Sequence, residues 1–327
     1  MRAAWYSRFG PAADVIELGE MDTPRPGPGE VRVKIAYSGV NPSDAKARGG
    51  TRPGVTAPPY DRVIPHSDGA GVIDAVGDGI DAARIGQPVW LWNAAWQRPY
   101  GTAAEYVCLP EAQAVAMPDG LDPKLGAVLG IPGLTAAQTV FGGGDVSGQT
   151  VLVSGGAGAV GHNAVQLAKW GGARVIATCS KDGMKHVHAA GADAVFDYSD
   201  PDLAAQIDGA APGGIDRAVE VEFGVNAPLL GEVMKPMGTI AAYGSGKDMT
   251  PTLPFGAFLF KALKVDITLI YLLKQRERDA IIARLHAALT AGALAPAIDA
   301  VLPLAECAKA HEAVMTPGRT GAVLLEI

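Results

Sequence analysis

Hydrophobic positions along this chain change their period twice. Over residues 31–77 the stretches "VRVKIAYSGVNPSDAKARGG" and "SDGAGVIDAVGDG" show short β-branched alternations broken by Gly, Pro, Asn and Asp, which predicts strands joined by tight turns. The mostly-β pattern continues through "GQPVWLWNAAWQRPYGTAAEYVCL", residues 86–109. After Pro123 the texture becomes "KLGAVLGIPGLTAAQTVF", which reads as helix, turn, helix. Thr135 is placed there to cap the second helix, its side chain accepting a bond from an orphan N–H. From Thr150 onward apolar strands ("TVLVSG", "ARVIATC", "AVFDY", "GIDRAVEV", "TIAAYG") alternate with helical stretches ("HNAVQLAKWG", "MKHVHAAG", "LLGEVMKPMG"). Such alternation predicts a parallel sheet covered on both faces. Residues 264–327 add a strand, the helix "RERDAIIARLHAALTAG" and a closing "GAVLLEI" strand. The expected fold class is α/β, with a β-rich first third ahead of a doubly wound sheet.

Composition narrows the function classes. The 327 residues suffice for two domains at about 150 residues each. A hydrophobic content of 48% with 19% charged residues fits a globular chain rather than a disordered one. Net charge is -7 and no run of Lys or Arg stands out, which argues against a dedicated nucleic-acid or anionic-membrane binder. Cys108, Cys179 and Cys307 lie far apart, form no CxxC knuckle, and read as buried free thiols. The start "MRAAWYSRFG" lacks the apolar core of a signal peptide. The most membrane-like stretch, "FGAFLFKALKVDITLIYLL", carries Lys261, Lys264 and Asp266, which would be costly in lipid. A cytoplasmic location is the expectation.

The chemistry concentrates after residue 150. Gly156, Gly158 and Gly161 satisfy G-x-G-x-x-G directly after a strand and at the mouth of a helix that opens with Ala159 and Val160. The three glycines provide a tight turn, close approach of backbone to a pyrophosphate, and close packing of helix on strand. NAD sites usually place Asp or Glu at the end of the second strand, to bond the ribose hydroxyls. Here that end reads "ATCSKDG", with Cys179 and Ser180 where the acid is expected. A 2′-phosphate would be welcomed by Ser180, Lys181 or Lys185, so the missing acid points to NADPH; Asp182 tempers this. Tyr198, past the third strand, is placed to stack or bond near the adenosine phosphate, or to be an edge aromatic.

Taken in order, "GVNPSDAKARGG", "PHSDGAGVIDAVGDGI", "LGIPGLTAAQTVF", the glycine loop, "GIDRAVEVEFGVN" and "LPLAECAKAHEAV…GRTGAVLLEI" resemble the zinc-independent medium-chain dehydrogenases/reductases of the quinone oxidoreductase, or zeta-crystallin-like, group. The resemblance spans nearly the whole chain. It implies a GroES-like catalytic domain over 1–122 completed by 265–327, a Rossmann NADPH-binding domain over 123–264, and a homodimer. The implied reaction is NADPH-dependent reduction of quinones, by hydride or electron transfer. One alternative is reduction of the C=C bond of α,β-unsaturated carbonyls; another is a non-catalytic protein that binds NADPH or RNA.

Zinc-dependent cousins use a Cys in the first motif and a His-Glu pair before the "GAG" turn. This chain has Asn41 and Ser67-Asp68 there, with His66 shifted by one, so no catalytic metal is expected. The resemblance places Asn41 beside the nicotinamide and its ribose, where an amide offers a donor and an acceptor; an Asx-type turn before Pro42 is the structural alternative. Asp44 reads as a cap or salt-bridge partner as readily as a catalytic group. Lys46 and Arg52 stand where several relatives have tyrosines, and join the expected substrate pocket. Tyr60 resembles a family position at the site's edge, and Tyr60, Lys46 and solvent are all candidate proton donors to an enolate. Trp90, Trp92 and Trp96 fall where the family lines its substrate site, and Trp90 and Trp92 share strand parity; ordinary core packing is the structural alternative for them. Tyr243, Gly244 and Ser245 match the family region that passes the nicotinamide carboxamide.

Overall fold

The computed structural model describes residues 1–51 and 54–327; Arg52 of the expected substrate pocket lies outside the described residues. Two large sheets organise the chain, one in each of two compact units, Met1–Ile131 with Ile298–Ile327, and Pro132–Ala297; a two-stranded ribbon, Arg2–Trp5 with Glu17–Glu20, belongs to the first.

In the second unit six parallel strands, Thr150–Ser154, Arg174–Cys179, Ala194–Asp197, Ile215–Glu220, Met234–Ala242 and Lys264–Ile267, lie in the spatial order third, second, first, fourth, fifth, sixth. This is the doubly wound order, whose reversal falls between the first and fourth strands. Leu152, Ile176, Ala218 and Ile240 are buried and join one core with Ile207, Leu230 and Phe258 from the covering helices. Burial from both sides explains why these strands read as continuous apolar runs. Thr135 does not cap a helix: it lies inside Leu134–Phe141, behind the N-cap Gly133. Its carbonyl accepts the Thr139 hydroxyl at 2.8 Å. The preceding turn, Leu129–Gly133, is already helical and π-type, so the chain enters the helix without the extended residue that side-chain capping needs.

The first unit is a seven-stranded sheet centred on the long strand Glu30–Val40. That strand pairs antiparallel with Asp68–Val76, Tyr106–Pro110 and the terminal Ala322–Glu326. Valines and isoleucine at alternate positions, Val31, Val33 and Ile35, fill one core with Ile73, Val89 and Leu109. A second core gathers Ala4, Ile64, Cys307, Val323 and Leu325, which draws the C-terminal segment into this unit.

The units divide later than the sequence boundaries at 122 and 264. Helix Pro123–Gly126 packs on the β-rich sheet, where a side chain at Gly126 would meet Ala70 and Met117. Strand Lys264–Ile267 pairs with Met234–Ala242, and helix Gln275–Thr290 packs on Leu134–Phe141, which keeps both in the parallel-sheet unit.

Candidate functional site

The glycine loop joins the first parallel strand to helix Ala159–Trp170. The left-handed residue of the turn is Gly155 (φ 70), one position ahead of the motif read from sequence. Gly161 is dictated by packing, since a Cβ there would lie 2.1 Å from the Gly155 carbonyl oxygen. Gly156 faces Val187 and Ala177 within 3.1 Å. Gly158 is different: its nearest atom would be 3.5 Å away, so the space in front of the helix is open. No side chain caps this helix, and its first-turn N–H groups, at Ala159, Val160 and Gly161, form the kind of terminus that receives a phosphate.

At the end of the second strand Cys179 pairs in register with Asp197, and the Tyr198 N–H donates to the Cys179 carbonyl. Tyr198 therefore stands beside Ser180. Its ring is 55% exposed and lies 5.9 Å beneath the Lys247 ammonium. Lys181 and Lys185 are exposed, on the short turn and helix that follow Ser180. The nearest strand-end acid, Asp197, turns its carboxylate to the Ser199 N–H and hydroxyl, which hold it below the usual carboxylate range. Lys247 was not foreseen; it comes from a loop nearly fifty positions further on.

The ends of the first and fourth strands carry a second polar group. Glu220 is buried; its carboxylate accepts from the Glu222 N–H and from Asn226 Nδ2 at 3.0 Å, and Asn226 also reaches Ser154 Oγ at 3.1 Å. Burial pushes the Glu220 carboxyl up, against these bonds. Tyr243 and Gly244 continue the fifth strand, with the Tyr243 N–H on the Glu220 carbonyl and the Gly244 carbonyl taking the Phe223 N–H. Burial, then the nearby Glu220, pushes the Tyr243 phenol up. The Ser245 hydroxyl accepts from the Gly224 N–H at 2.8 Å and donates to the Asp248 carbonyl, so it pins its own loop.

In the β-rich unit Asn41 is the N-cap residue of helix Pro42–Arg48, and its backbone N–H donates to Asp44 Oδ2 at 2.8 Å. Asp44 is thus a helix-terminal brace. The Asn41 amide points to a different carboxyl, with Nδ2 donating to Asp68 Oδ2 at 2.7 Å. Asp68 is fully buried, and desolvation holds its carboxyl well above the usual range, against the Asn41 bond and a bond from the Ile131 backbone. A Cβ on Gly130 would fall 2.2 Å from Asp68 Oδ1, which explains the glycine in "LGIPG".

From Asp68 a buried polar chain runs inward. Thr102 Oγ1 donates to the Asp68 carbonyl, Ser38 Oγ lies 2.7 Å from Thr102 Oγ1 and 2.8 Å from His66 Nδ1, and His66 Nε2 lies 3.0 Å from His311 Nε2. The sequence offered no signal for Ser38, Thr102 or His311, which sit on four separate segments with His66.

Other expected site residues fall elsewhere. The Tyr60 hydroxyl donates to the Gln97 carbonyl at 2.8 Å, and its ring packs beside Tyr6, Val15 and Val63. Lys46 is exposed on helix Pro42–Arg48. Trp90 is 0% exposed and belongs to the core, so it offers no face to a ligand. The strand ends at Leu91 and Asn93 takes φ 53, so the parity argument linking Trp90 with Trp92 stops there. Trp92 is buried and Trp96 half-buried.

Comparison with known proteins adds a family context. Residues 27–119 match the model of the alcohol dehydrogenase GroES-like domain, and residues 159–286 that of the zinc-binding dehydrogenases. A human quinone oxidoreductase is 31% identical over 330 residues, covering 99% of this chain and 97% of its own. Among solved structures, an NAD-dependent alcohol dehydrogenase superposes with a TM-score of 0.90 at 28% identity, over all of both chains. A mycobacterial protein complexed with NADPH gives 0.87 at 26% identity, again over all of both.

Proposed function

Because this chain belongs to the quinone oxidoreductase family of the medium-chain dehydrogenases/reductases, we propose that it is an NADPH-dependent enzyme that reduces quinones without a catalytic zinc. The observation that carries the reading is the Asn41–Asp68 hydrogen bond, with Asn41 where zinc-dependent relatives need a thiolate, Asp68 where they have the Glu of their His-Glu pair, and Ser67 in place of the imidazole. An amide bonded to a buried carboxyl held towards its neutral form is a poor donor set for Zn²⁺.

The parallel-sheet unit fits the cofactor. The uncapped helix at Gly158, with open space in front of it, suits a pyrophosphate, and Ser180, Lys181 and Tyr198 suit a 2′-phosphate. NADPH, when bound, supplies a hydride, and the protein supplies orientation and exclusion of water. Asp68 fixes the Asn41 amide with Nδ2 turned inward, which sets the direction in which the amide meets a hydroxyl or amide of the ligand. Hydride transfer to a quinone leaves the quinol monoanion, which takes its one further proton from water.

A second reading, reduction of a conjugated C=C bond, needs a proton on the carbon next to the carbonyl once hydride has added to the other. The Asp68 carboxyl, whose hold on its proton burial strengthens, is a candidate source. Oxidation of NADPH and NADH by metal-free enzyme, with a quinone panel and a simple enone tested separately, decides between them. Quinone turnover that prefers NADPH is expected. Enone-only turnover would move the assignment to alkene reduction, and no turnover with either acceptor would defeat both.

We also propose a homodimer. The sixth strand, Lys264–Ile267, is a sheet edge, and Phe260, Ile267 and Leu269 are exposed on and beside it. Light scattering should return twice the chain mass, and Ile267→Lys should return the monomer's.

A further inference from the structure

Helix Cys307–Ala313 carries Cys307 and His311 four residues apart, the spacing that sets two side chains on one face a turn apart. Both are buried. His66 arrives from 245 positions away and stacks on His311, with ring centroids 5.0 Å apart and an interplanar angle of 29°. One ligand atom from each of His66, Cys307 and His311 lies within 4.8 Å of the other two.

Three observations single out this cluster. His66 has φ 78, a conformation that side chains other than glycine rarely adopt, yet the chain holds a histidine there. Its Nδ1 is tied to Ser38 Oγ, which is tied to Thr102, the outer support that fixes the ring of a metal-binding histidine and turns its other nitrogen to the metal. The Nε2 atoms of the two buried rings also converge to 3.0 Å from segments 245 positions apart, so one ion can be reached by both.

We propose that His66, Cys307 and His311 form a transition-metal site that takes a thiophilic late first-row ion, zinc or copper, through two imidazoles and a thiolate. The two Nε2 atoms at 3.0 Å are close to the separation of about 3.3 Å between neighbouring nitrogen ligands on one tetrahedral ion at 2.0–2.1 Å. Two imidazoles and a thiolate in a trigonal set suit copper, and zinc would add a fourth ligand. Burial lowers both histidines, His311 to about 3, and so keeps them in the neutral form that ligates. The buried Cys307 thiol gives up its proton when it ligates. The site is separate in its residues from Asn41, Ser67 and Asp68, and its role is to clamp the C-terminal helix to the segment ahead of strand Asp68–Val76.

The test uses the full chain, unfolded in denaturant with chelator and refolded with Co²⁺, Zn²⁺ or Cu⁺, so that burial of the site does not bar entry. After gel filtration, elemental analysis should find one ion per chain for at least one of the three, with a higher Tm than the metal-free protein. The cobalt form should show thiolate-to-metal charge-transfer absorption. Cys307→Ser should abolish that absorption and weaken retention by at least about tenfold, while Cys179→Ser leaves both unchanged. If Cys307→Ser fails to fold, His311→Gln, which keeps the helix and loses a ligand, should show the same loss of metal with native circular dichroism. Failure to retain any of the three ions after refolding overturns the proposal, as does charge-transfer absorption that survives removal of Cys307.

Discussion

The two units treat polar groups in opposite ways. The parallel-sheet unit leaves them at strand ends and helix starts, as the open helix at Gly158 and the exposed Lys181, Lys185 and Tyr198 show. The β-rich unit hides them, in a buried chain from Asn41 through Asp68, Thr102 and Ser38 to His66 and His311. One arrangement offers backbone N–H groups and charges to a large anionic ligand. The other spends nearly all its hydrogen bonds on itself, and so holds one amide, that of Asn41, in a fixed direction. Low surroundings polarity strengthens such a chain and makes any gap in it costly.

The largest effects should come from the glycine loop, where the two glycines with different surroundings can be separated. Gly161→Ala puts a methyl 2.1 Å from the Gly155 carbonyl, a backbone atom that cannot swing aside. It should cost about 1–3 kcal/mol of stability and reduce NADPH affinity by about 100-fold or more. Gly158→Ala meets nothing closer than 3.5 Å, so its Tm should match wild type while NADPH affinity falls. Thermal melts with cofactor titration measure both. Unchanged affinity in Gly158→Ala would mean that the open space is not where the pyrophosphate sits.

The β-rich unit should respond in stability. Asn41→Ala leaves a buried Asp68 oxygen without its amide partner and should cost about 1–3 kcal/mol in denaturant unfolding. Asp68→Asn should cost less, since its amide oxygen can accept the Asn41 N–H and burial already opposes a charge there. Equal losses in the two variants would show that Asp68 is ionised in the folded protein, and would remove it as a proton source.

The same contrast explains what could be read from sequence. The glycine loop and the alternation of strands and helices are local, so their form survives in one segment. The G-x-G-x-x-G pattern even locates the helix start, although the left-handed turn belongs to Gly155; packing forbids side chains at Gly156 and Gly161, while Gly158 faces open space. Asn41 was also legible, but its partner Asp68 was not, since pairing across the sheet is set by register. His66 was set aside for standing one place from the zinc-ligand position; its positive φ redirects the side chain to His311, and a backbone angle leaves no mark in composition. Trp90 went the other way, because strand parity tells which residues share a face without telling whether that face is core or site. The domain boundary near 122 rested on a change of texture, whereas the chain divides by which sheet each helix covers.

The smallest effect, and the finest probe of the comparison, lies at the adenosine end of the parallel-sheet unit. Lys181 is exposed and solvent-screened, so its bond to a 2′-phosphate is worth about 1.4 kcal/mol at most. Lys181→Ala should then raise KM for NADPH by about tenfold or less, leave KM for NADH and the Tm unchanged, and lose its effect as salt rises. Lys247→Ala asks whether the cation over Tyr198 shares that load. If the two substitutions act independently, their effects on KM for NADPH should multiply, and the pocket is built from two separate segments. If Lys181→Ala weakens NADH as much as NADPH, the lysine serves the whole dinucleotide, and the missing acid at the second strand's end no longer argues for the phosphate.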